Sequence, residues 1–346
     1  MFDALSLPVV VGLFAAAGLT IAVLGVRLTS LADRLGDRTG LGEAVVGGVL
    51  LGLATSLSGT VVSVTAALDG RASLAFSNAV GGIAAQTAFL ALADLLYRRV
   101  NMEHAAAELA SVVQAALLSL LLAVALLAVT GPDIAVLGIH PASLALVILY
   151  VLGTRATARV RQRPMWHPEQ TRDTRTDTPE ESPEESTGAR GGIAPLLAQF
   201  LGLALVLGAA GWLISKTGGR MSDMLGVSET AVGALLTAVT TSLPELITTL
   251  AAVRRGALQL ALGGIIGGNT FDVLFLSASD VAYRDGSLYH AVGLGDLFWL
   301  VIGLTMTAVL LLGLIVRERR GIAGIGFESV GVLGLYALGI AVQAVR

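Results

Sequence analysis

Long apolar runs, separated by short polar segments, follow one another along almost the whole chain. A helix crosses a bilayer core with about 20 apolar residues, and ten runs approach or exceed that length. The first five predicted spans are 7–26, 41–68, 72–97, 105–130 and 134–152, and the second five are 193–215, 229–253, 257–283, 291–316 and 322–345. The pattern predicts an all-α polytopic membrane protein with ten transmembrane helices.

The composition supports this fold class and excludes others. Of the 346 residues, 55% are hydrophobic and 14% are charged, and the mean hydropathy is +0.81, whereas a soluble domain carries about 25% charged residues. The chain has no cysteine, which excludes disulfides and thiolate metal sites. No basic segment precedes the first apolar run, so we expect a retained span. The lipid bilayer is an expected partner, a nucleic acid is not, and the oligomeric state stays open.

One long polar segment divides the chain near its middle. Residues 153–190 are rich in Arg, Thr, Glu, Ser and Pro and contain few apolar residues. Such a segment cannot bury enough surface to offset the entropy of ordering. We predict a disordered acidic linker there, with one five-helix unit before it at 1–152 and a second after it at 191–346.

Basic residues distinguish the two sides of the membrane when successive connections are assigned to alternating sides. The side of the linker carries Arg27, Arg34, Arg38, Arg98, Arg99, Arg155, Arg159, Arg161, Arg163, Arg254, Arg255, Arg317, Arg319 and Arg320, and the other carries Arg71, Lys216, Arg220, Arg284 and Arg346. Cytoplasmic connections are enriched in Lys and Arg. The linker is therefore predicted to be cytoplasmic and both termini outside, in the plasma membrane.

The two halves of the chain resemble each other. A shift of 186 residues aligns 43–94 with 229–280 without a gap, and the polar and glycine matches include Glu43/Glu229, Thr55/Thr241, Ser56/Ser242, Gly81/Gly267 and Asp94/Asp280. Each unit has five predicted spans, an odd number, so the second copy enters the membrane from the opposite side. We predict an inverted-topology repeat with a binding site where the copies meet near the bilayer midplane.

Two carboxylates lie inside apolar runs of the second half. Glu245 follows Pro244, and Asp272 lies in the next run. An ionisable residue within a span is a functional hypothesis by default, and proline removes the amide that would otherwise bond the carbonyl of Thr240. Because hard cations are bound by such converging oxygens, the sequence predicts a cation site near mid-membrane and no organic cofactor.

The same residues carry a resemblance to a known family. The segments TTSLPE at 240–245 and GGIIGGNTFD at 263–272 resemble the GTSLPE and GNxxGSNxxN/D motifs of the sodium/calcium exchanger, or calcium/cation antiporter, superfamily. The resemblance covers essentially the whole chain and implies antiport of Ca²⁺ or another cation against Na⁺, with H⁺ as a further coupling ion. By position it implies as ion ligands Thr55, Ser56, Gln86, Thr241, Ser242, Glu245 and Asp272.

The first copy departs from that motif. It reads ATSLSG at 54–59, so Ser58 stands in place of proline and Gly59 in place of glutamate, while Gln86 replaces the usual Asn or Asp. With Glu245 and Asp272 ionised, the site holds about two negative charges, which one Ca²⁺, two Na⁺ or two protons would neutralise. We expect electroneutral exchange of one divalent ion for two monovalent ones.

Three other interpretations stay open. The reduced charge fits a proton-coupled or monovalent cation exchanger, and the absent glutamate at position 59 fits an exchanger homologue that binds ions without transporting them. Asp272 and Asp296, in FD and GLGD, also resemble the paired aspartates of presenilin-type intramembrane proteases. The accompanying Pro-Ala-Leu motif is absent, so a transporter and not an enzyme is the expected class.

Overall fold

The computed structural model describes residues 4–39, 43–97, 100–106, 108–174, 193–321 and 325–345. Apart from one isolated bridge between Val136 and Ile139, the regular structure in these ranges is helical. The helices of the first half are α1 Leu7–Thr39, α2 Glu43–Leu68, α3 Ala72–Tyr97, α4 Met102–Ala105, α5 Leu109–Thr130 and α6 Pro141–Gln162.

The second half begins with α7 Ile193–Leu225. It continues with α8 Glu229–Ala231, a π-helical segment Val232–Thr237, α9 Ala238–Thr241, α10 Leu243–Arg255, α11 Leu258–Asp272, α12 Leu274–Ala282, a 3₁₀ turn Leu288–His290, α13 Leu294–Val316 and α14 Phe327–Val345. The predicted all-α class is confirmed.

Within the described ranges, eight helices are long and apolar enough to cross a membrane. They cover Leu7–Leu35, Ala72–Tyr97, Leu109–Thr130, Pro141–Gln162, Ile193–Leu225, Leu258–Ala282, Leu294–Val316 and Phe327–Val345. The pair Glu229–Thr241 and Leu243–Arg255, bent by 47°, makes a ninth if it is one broken span. A multi-pass membrane protein is thus confirmed, while the prediction of ten spans also requires α2, whose segment Ala54–Leu68 is apolar.

Several predicted helix ends are wrong by more than a turn. Helices α1 and α7 run on to Thr39 and Leu225. The extension of α7 is buried at Thr217 and Ser222, so packing and not hydropathy decides where this helix ends. Helix α6 begins at Pro141 and not at 134. The residues before it form a tight turn in which Leu137 and Gly138 have φ of 57° and 79°, outside helical geometry.

The linker prediction is wrong for its first part. Helix α6 continues ten residues past the predicted boundary at 152, to Gln162. Beyond it, the chain packs back on the protein, since Arg319 Nε lies 2.5 Å from Asp173 Oδ2 and His104 Nε2 lies 2.9 Å from Thr171 Oγ1. The stretch 175–190, with most of the acidic sequence, lies outside the described residues.

Helix α3 is the centre of the molecule. Every residue from Leu74 to Ala91 is buried, because α2, the α8–α10 segment, α11, α12, α13 and α14 all pack around it. A helix that is apolar on all sides is suited to such a place. Its closest neighbour is the π-helical segment, where a Cβ at Gly81 would collide with the Ala234 backbone and a Cβ at Gly233 with Ser77. Small residues allow this approach.

Hydrogen bonds of Asp94 and Asp280 recur in the two halves at the repeat offset. Asp94 Oδ1 accepts from the Met102 amide and Asp280 Oδ1 from the Leu288 amide, both at 2.9 Å. Their Oδ2 atoms accept from Ser329 at 2.8 Å and from Ser143 at 2.7 Å. In each half the aspartate thus bonds a backbone amide eight residues further along the chain and a serine of the other half.

Candidate functional site

The broken span near Pro244 brings the TSLPE segment to the centre of the protein. Pro244 lies in the first turn of α10, and Ser242 before it has φ −94° and ψ 6°, which ends α9. Proline cannot donate to the turn before it. The Ser242 amide points to the carbonyls of both Ala238 and Thr240, and the Thr240 methyl faces Gly18 of α1. A carbonyl oxygen has two lone pairs, so the ligand role of Thr240 stays a prediction.

Asp272, the last residue of α11, is the point where the polar side chains converge. Its Oδ1 accepts from Ser56 Oγ of α2 at 2.5 Å, and its Oδ2 accepts from Gln86 Nε2 of α3 at 2.7 Å. Gln86 Nε2 also lies 3.2 Å from Ser242 Oγ. Four predicted site residues, from two helices of each half, are thus in direct contact and buried.

Glu245 lies beside this group with an unused oxygen. Its side chain is 6% exposed, its Oε2 has no hydrogen-bond partner among the described residues, and its charge interacts with that of Asp272. Gln86 Oε1 is likewise buried and without a donor. A buried oxygen without a donor is costly, and a bound cation would satisfy both.

Two glycines leave room for the polar group. A Cβ at Gly268 would lie 3.4 Å from Gln86 Oε1, and a Cβ at Gly82 would lie 3.7 Å from Ser242 Oγ and 4.0 Å from Asp272 Oδ2. The helix backbone therefore borders the site directly at both positions. The side-chain amide of Gln86 occupies the space into which a side chain at position 268 would extend.

The place of the missing first-copy glutamate is filled. A Cβ at Gly59 would lie 2.7 Å from Phe275 Cε2 and 3.7 Å from Thr241 Oγ1. The Phe275 ring of α12 thus takes the space into which a side chain at 59 would point. The first copy accordingly lacks both the acidic group and the room for it.

Two predicted ligands direct their hydroxyls along their own helices. Thr55 Oγ1 donates to Gly52 O at 3.2 Å, and Thr241 Oγ1 donates to Thr237 O at 3.0 Å. Such back-bonding is common for threonine in helices. The hydroxyls of Ser56 and Ser242 face Asp272 and Gln86 instead. In both motifs, therefore, the serine contacts the polar group and the threonine bonds its own helix.

Sequence reasoning missed several buried amides near the site. Asn78 bridges the halves, since its Nδ2 donates to Gly59 O at 3.2 Å and its Oδ1 accepts from Thr237 Oγ1 at 2.7 Å. Asn269 Nδ2 donates to Thr87 Oγ1 at 3.0 Å. Gln114 Nε2 lies near Gly267 of α11. An amide inside an apolar run was the available signal, because polar residues in spans face the protein interior.

The structure does not support the paired-aspartate alternative. Asp296 accepts from Ser73 Oγ and Thr230 Oγ1, both at 2.7 Å, and from the Gly293 amide. Ser73 precedes Gln86, the partner of Asp272, by thirteen positions on α3, a rise of roughly 20 Å. Asp272 and Asp296 are too far apart to share a proton.

The sequence matches a known protein family over most of its length. A family model described as sodium/calcium exchanger protein matches residues 9–156 and 195–345. The chain belongs to the sodium/calcium exchanger family. This assignment confirms the resemblance carried by the two motifs.

Individual sequences match this exchanger-family protein only locally. It is 43% identical to the sodium/calcium exchanger MaX1 of Methanosarcina acetivorans over 63 residues, 18% of each chain. It is 34% identical to the inner membrane protein YrbG of Escherichia coli over 88 residues, 27% of that protein. The matched segments thus span about a fifth to a quarter of the length of these relatives.

Solved structures match the exchanger-family protein over nearly its whole length. The sodium-calcium exchanger NCX_Mj gives a TM-score of 0.61 at 20% identity and covers 97% of this chain and 99% of its own. The H⁺/Ca²⁺ exchanger CAX gives a TM-score of 0.69 at 13% identity and covers 97% of this chain and 84% of its own. At these identities the likeness establishes the fold.

Proposed function

We propose that the protein is a secondary active cation antiporter that exchanges Ca²⁺ or another cation for Na⁺ or H⁺ by alternating access. The observation that carries the proposal is the group of Ser56, Gln86, Ser242 and Asp272 beside the unpartnered Glu245 Oε2. These residues lie at a broken span, where transporters bind ions. The names of MaX1, NCX_Mj and CAX support the same reaction class.

The proposed architecture is ten spans in two inverted five-helix repeats. Support comes from contacts that recur when both partners are shifted by 186 residues, as in Asp94–Ser329 and Asp280–Ser143. Gln86 and Asp272 are themselves separated by 186 positions and bond to each other, as expected at a pseudo-twofold axis. The arginine distribution supports a cytoplasmic linker and external termini, in the plasma membrane.

The charge of the proposed site limits its cargo. Glu245 and Asp272 carry about two negative charges when ionised, and leaving a buried charge uncompensated costs several kcal/mol. One divalent ion or two monovalent ions balance them, which makes the exchange electroneutral. Ca²⁺ takes six to eight oxygens, and the carboxylates, the Gln86 carbonyl and the Ser56 and Ser242 hydroxyls supply them together with water.

Cation binding requires a local rearrangement. In the described state Asp272 accepts from Ser56 and Gln86, so those donors must turn away before a cation can contact both carboxylate oxygens. Rotation of the Gln86 amide would turn its carbonyl oxygen, in place of its N–H groups, toward the ion. Inverted repeats around the site then give two related arrangements that open to opposite sides.

A second candidate function is exchange of monovalent cations or protons. The filled space at Gly59 favours it, because Phe275 replaces a carboxylate that would add negative charge for a divalent ion. Na⁺ is satisfied by fewer oxygens than Ca²⁺, and protons need only the two carboxylates. An ion-binding homologue without transport is the third outcome of the experiment below.

Isotopic ion uptake in proteoliposomes tests the proposal. We expect ⁴⁵Ca²⁺ or ²²Na⁺ uptake driven by an opposing Na⁺ or H⁺ gradient, and its loss by at least tenfold in Glu245→Gln and Asp272→Asn. Glu108→Gln is the matched control, since Glu108 pairs with Arg161 outside the site. Wild-type flux in both site variants would contradict the site, absence of any flux would contradict transport, and flux driven by voltage alone would contradict electroneutrality.

A further inference from the structure

Three buried acids lie together at the end of α3 that faces the arginine-rich side, far from the central site. We call Asp94, Glu103 and Glu328 the acidic cluster; the three are 1%, 1% and 0% exposed. They come from α3, the short helix α4 and the first turn of α14. The function proposed above uses none of them.

Asp94 has a structural role, and the two glutamates do not share it. Asp94 is fully bonded to the Met102 amide and Ser329 Oγ. The same architecture occurs at the equivalent position of the second half, where Asp280 bonds the Leu288 amide and Ser143. There the residues at the repeat offset from Glu103 and Glu328 are Tyr289 and Ala142. The fold therefore forms without either glutamate.

The two glutamates meet at Asn101. Asn101 Oδ1 accepts from the Glu103 amide at 3.2 Å, the charge of Glu328 acts on Glu103, and Oε2 of each glutamate is buried without a donor in the described part of the chain. Glu328 Oε1 is held by Asn101 Nδ2, and its side chain fills the space beside Gly313 and Gly326. Two buried acceptor oxygens without a donor are costly, and a hydrogen shared between them would satisfy both.

We propose that Glu103 and Glu328 form a proton-binding site on the arginine-rich side of the membrane, in which one proton is shared between the two carboxyl groups. A proton is the ligand that this chemistry fits, because two buried acceptor oxygens lack a donor, and no group of three or more His, Asp or Glu side chains in the described ranges could hold a metal ion. Loss of the proton leaves three negative charges in the acidic cluster, and α4 and α14 must then separate to admit water.

The other charged groups around the pair do not neutralise it. Arg317 donates to the His104 and Glu169 carbonyls, Arg319 pairs with Asp173, and Glu318 accepts from the Phe327 amide. His104 faces Thr171 and the Arg317 carbonyl. On α3, Asp94 adds a negative charge. Burial raises the pKa of Glu103 well above its usual value, and the charges of Asp94 and Glu328 raise it further.

The site predicts how stability depends on pH. An unfolded glutamate releases its proton near pH 4.3, whereas folded Glu103, with its raised pKa, keeps its proton to higher pH. Above about pH 4.3 the folded state holds more protons than the unfolded state, so stability falls as pH rises until Glu103 itself titrates. Replacing either glutamate by glutamine removes this slope, since an amide N–H takes the place of the shared proton.

Infrared spectroscopy of the purified full-length protein tests the site directly. We expect one carboxylic-acid C=O band of the wild type to be absent in Glu103→Gln and in Glu328→Gln, and the double variant to lose no more than either single variant. Thermal unfolding from pH 5 to 8 should show a flatter slope in these variants than in the wild type. Glu108→Gln, an accessible carboxyl next to α4, should leave both readouts unchanged.

Three results would overturn the proposal. One is a carboxylic-acid band that survives in both single variants. Another is an additive loss in the double variant, which would mean one proton on each glutamate. The last is stabilisation by Ca²⁺ in the wild type that both glutamine variants lose, which would assign the site to a metal ion. None of these readouts requires transport, so they are independent of the antiport proposal.

Discussion

Asp272 is held by two helices of the opposite half before any ion arrives. Ser56 and Gln86 both donate to it, and each lies at the repeat offset from a residue of the same site, Ser242 and Asp272 itself. The first copy thus contributes donors where the second contributes a charge. Its role at the proposed site is to orient and partly neutralise one carboxylate.

Gly59 should tolerate no larger residue while Phe275 is present. We expect Gly59→Ala to lower the free energy of unfolding by about 1–3 kcal/mol, because its Cβ would lie 2.7 Å from Phe275 Cε2. Adding Phe275→Leu should recover most of that loss in a double-mutant cycle measured by denaturant unfolding. Gly263→Ala, which meets no atom within 4 Å, is the control. Additive effects of the two changes would contradict the contact.

The acidic and amide residues of the site could be predicted from the sequence. Glu245, Asp272 and Gln86 are polar interruptions of apolar runs, and the internal repeat pairs Gln86 with Asp272. The occupation of the Gly59 space by Phe275 could not, because it depends on how α2 packs against α12, and sequence spacing does not report such a contact. The contact of the Ser242 amide with the Thr240 carbonyl could not be predicted either, because it depends on how the turn before Pro244 closes.

At the scale of elements, the crossing of α3 and the π-helical segment sets the position of Gln86. The apolar runs of the sequence predicted most helices, but they did not reveal the π-helical segment Val232–Thr237. Gly233 lies against Ser77 and the Leu74 carbonyl, and a wider helical turn is frequent at such functional positions. Helix ends were predicted least well, because packing extends a helix such as α7 beyond its apolar part.

A methyl group at this crossing should separate the two elements. We expect Gly81→Ala to destabilise the protein by about 1–3 kcal/mol and to reduce transport, because its Cβ would meet the Ala234 backbone, which cannot turn aside as a side chain can. Gly264→Ala, with open space around it, should be neutral or stabilising, as alanine favours a helix by up to about 1 kcal/mol. Unfolding and uptake assays measure both effects, and equal behaviour of the two variants would exclude the close crossing.

Arg71 joins the α2–α3 connection to the second half. Its guanidinium lies 2.6 Å from Asp223 and 2.7 Å from Glu229. The interaction with Asp223, and to a smaller extent that with Glu229, raises the pKa of Arg71 above its usual value. The guanidinium therefore stays charged at every experimental pH. We expect Arg71→Gln to cost about 1 kcal/mol or less, since the group is partly exposed. The loss should shrink in high salt; a salt-independent loss would point to packing instead.

At the scale of the whole molecule, the absence of cysteine allows the predicted orientation to be tested directly. Single cysteines can be placed at the exposed positions Met165, Arg255, Leu68 and Leu137. In intact cells we expect a membrane-impermeant maleimide to label Leu68→Cys and Leu137→Cys only. Met165→Cys and Arg255→Cys should react after permeabilisation. Because 69 and 255 are equivalent in the repeat, labelling of Leu68→Cys and Arg255→Cys from the same side would contradict inversion.

The donors around Asp272 have a consequence for the carrier when it is empty. When no ion is bound, ionised carboxylates disfavour the change of the carrier from one side of the membrane to the other, because charge is costly inside a membrane. That cost makes the movement of one ion depend on the countermovement of another. Here Gln86 and Ser56 already satisfy one of the two acids in the described state. The other acid, Glu245, has no such donor at its Oε2, so its bare charge should still hold the unloaded protein in place, and the ion should not leak in one direction.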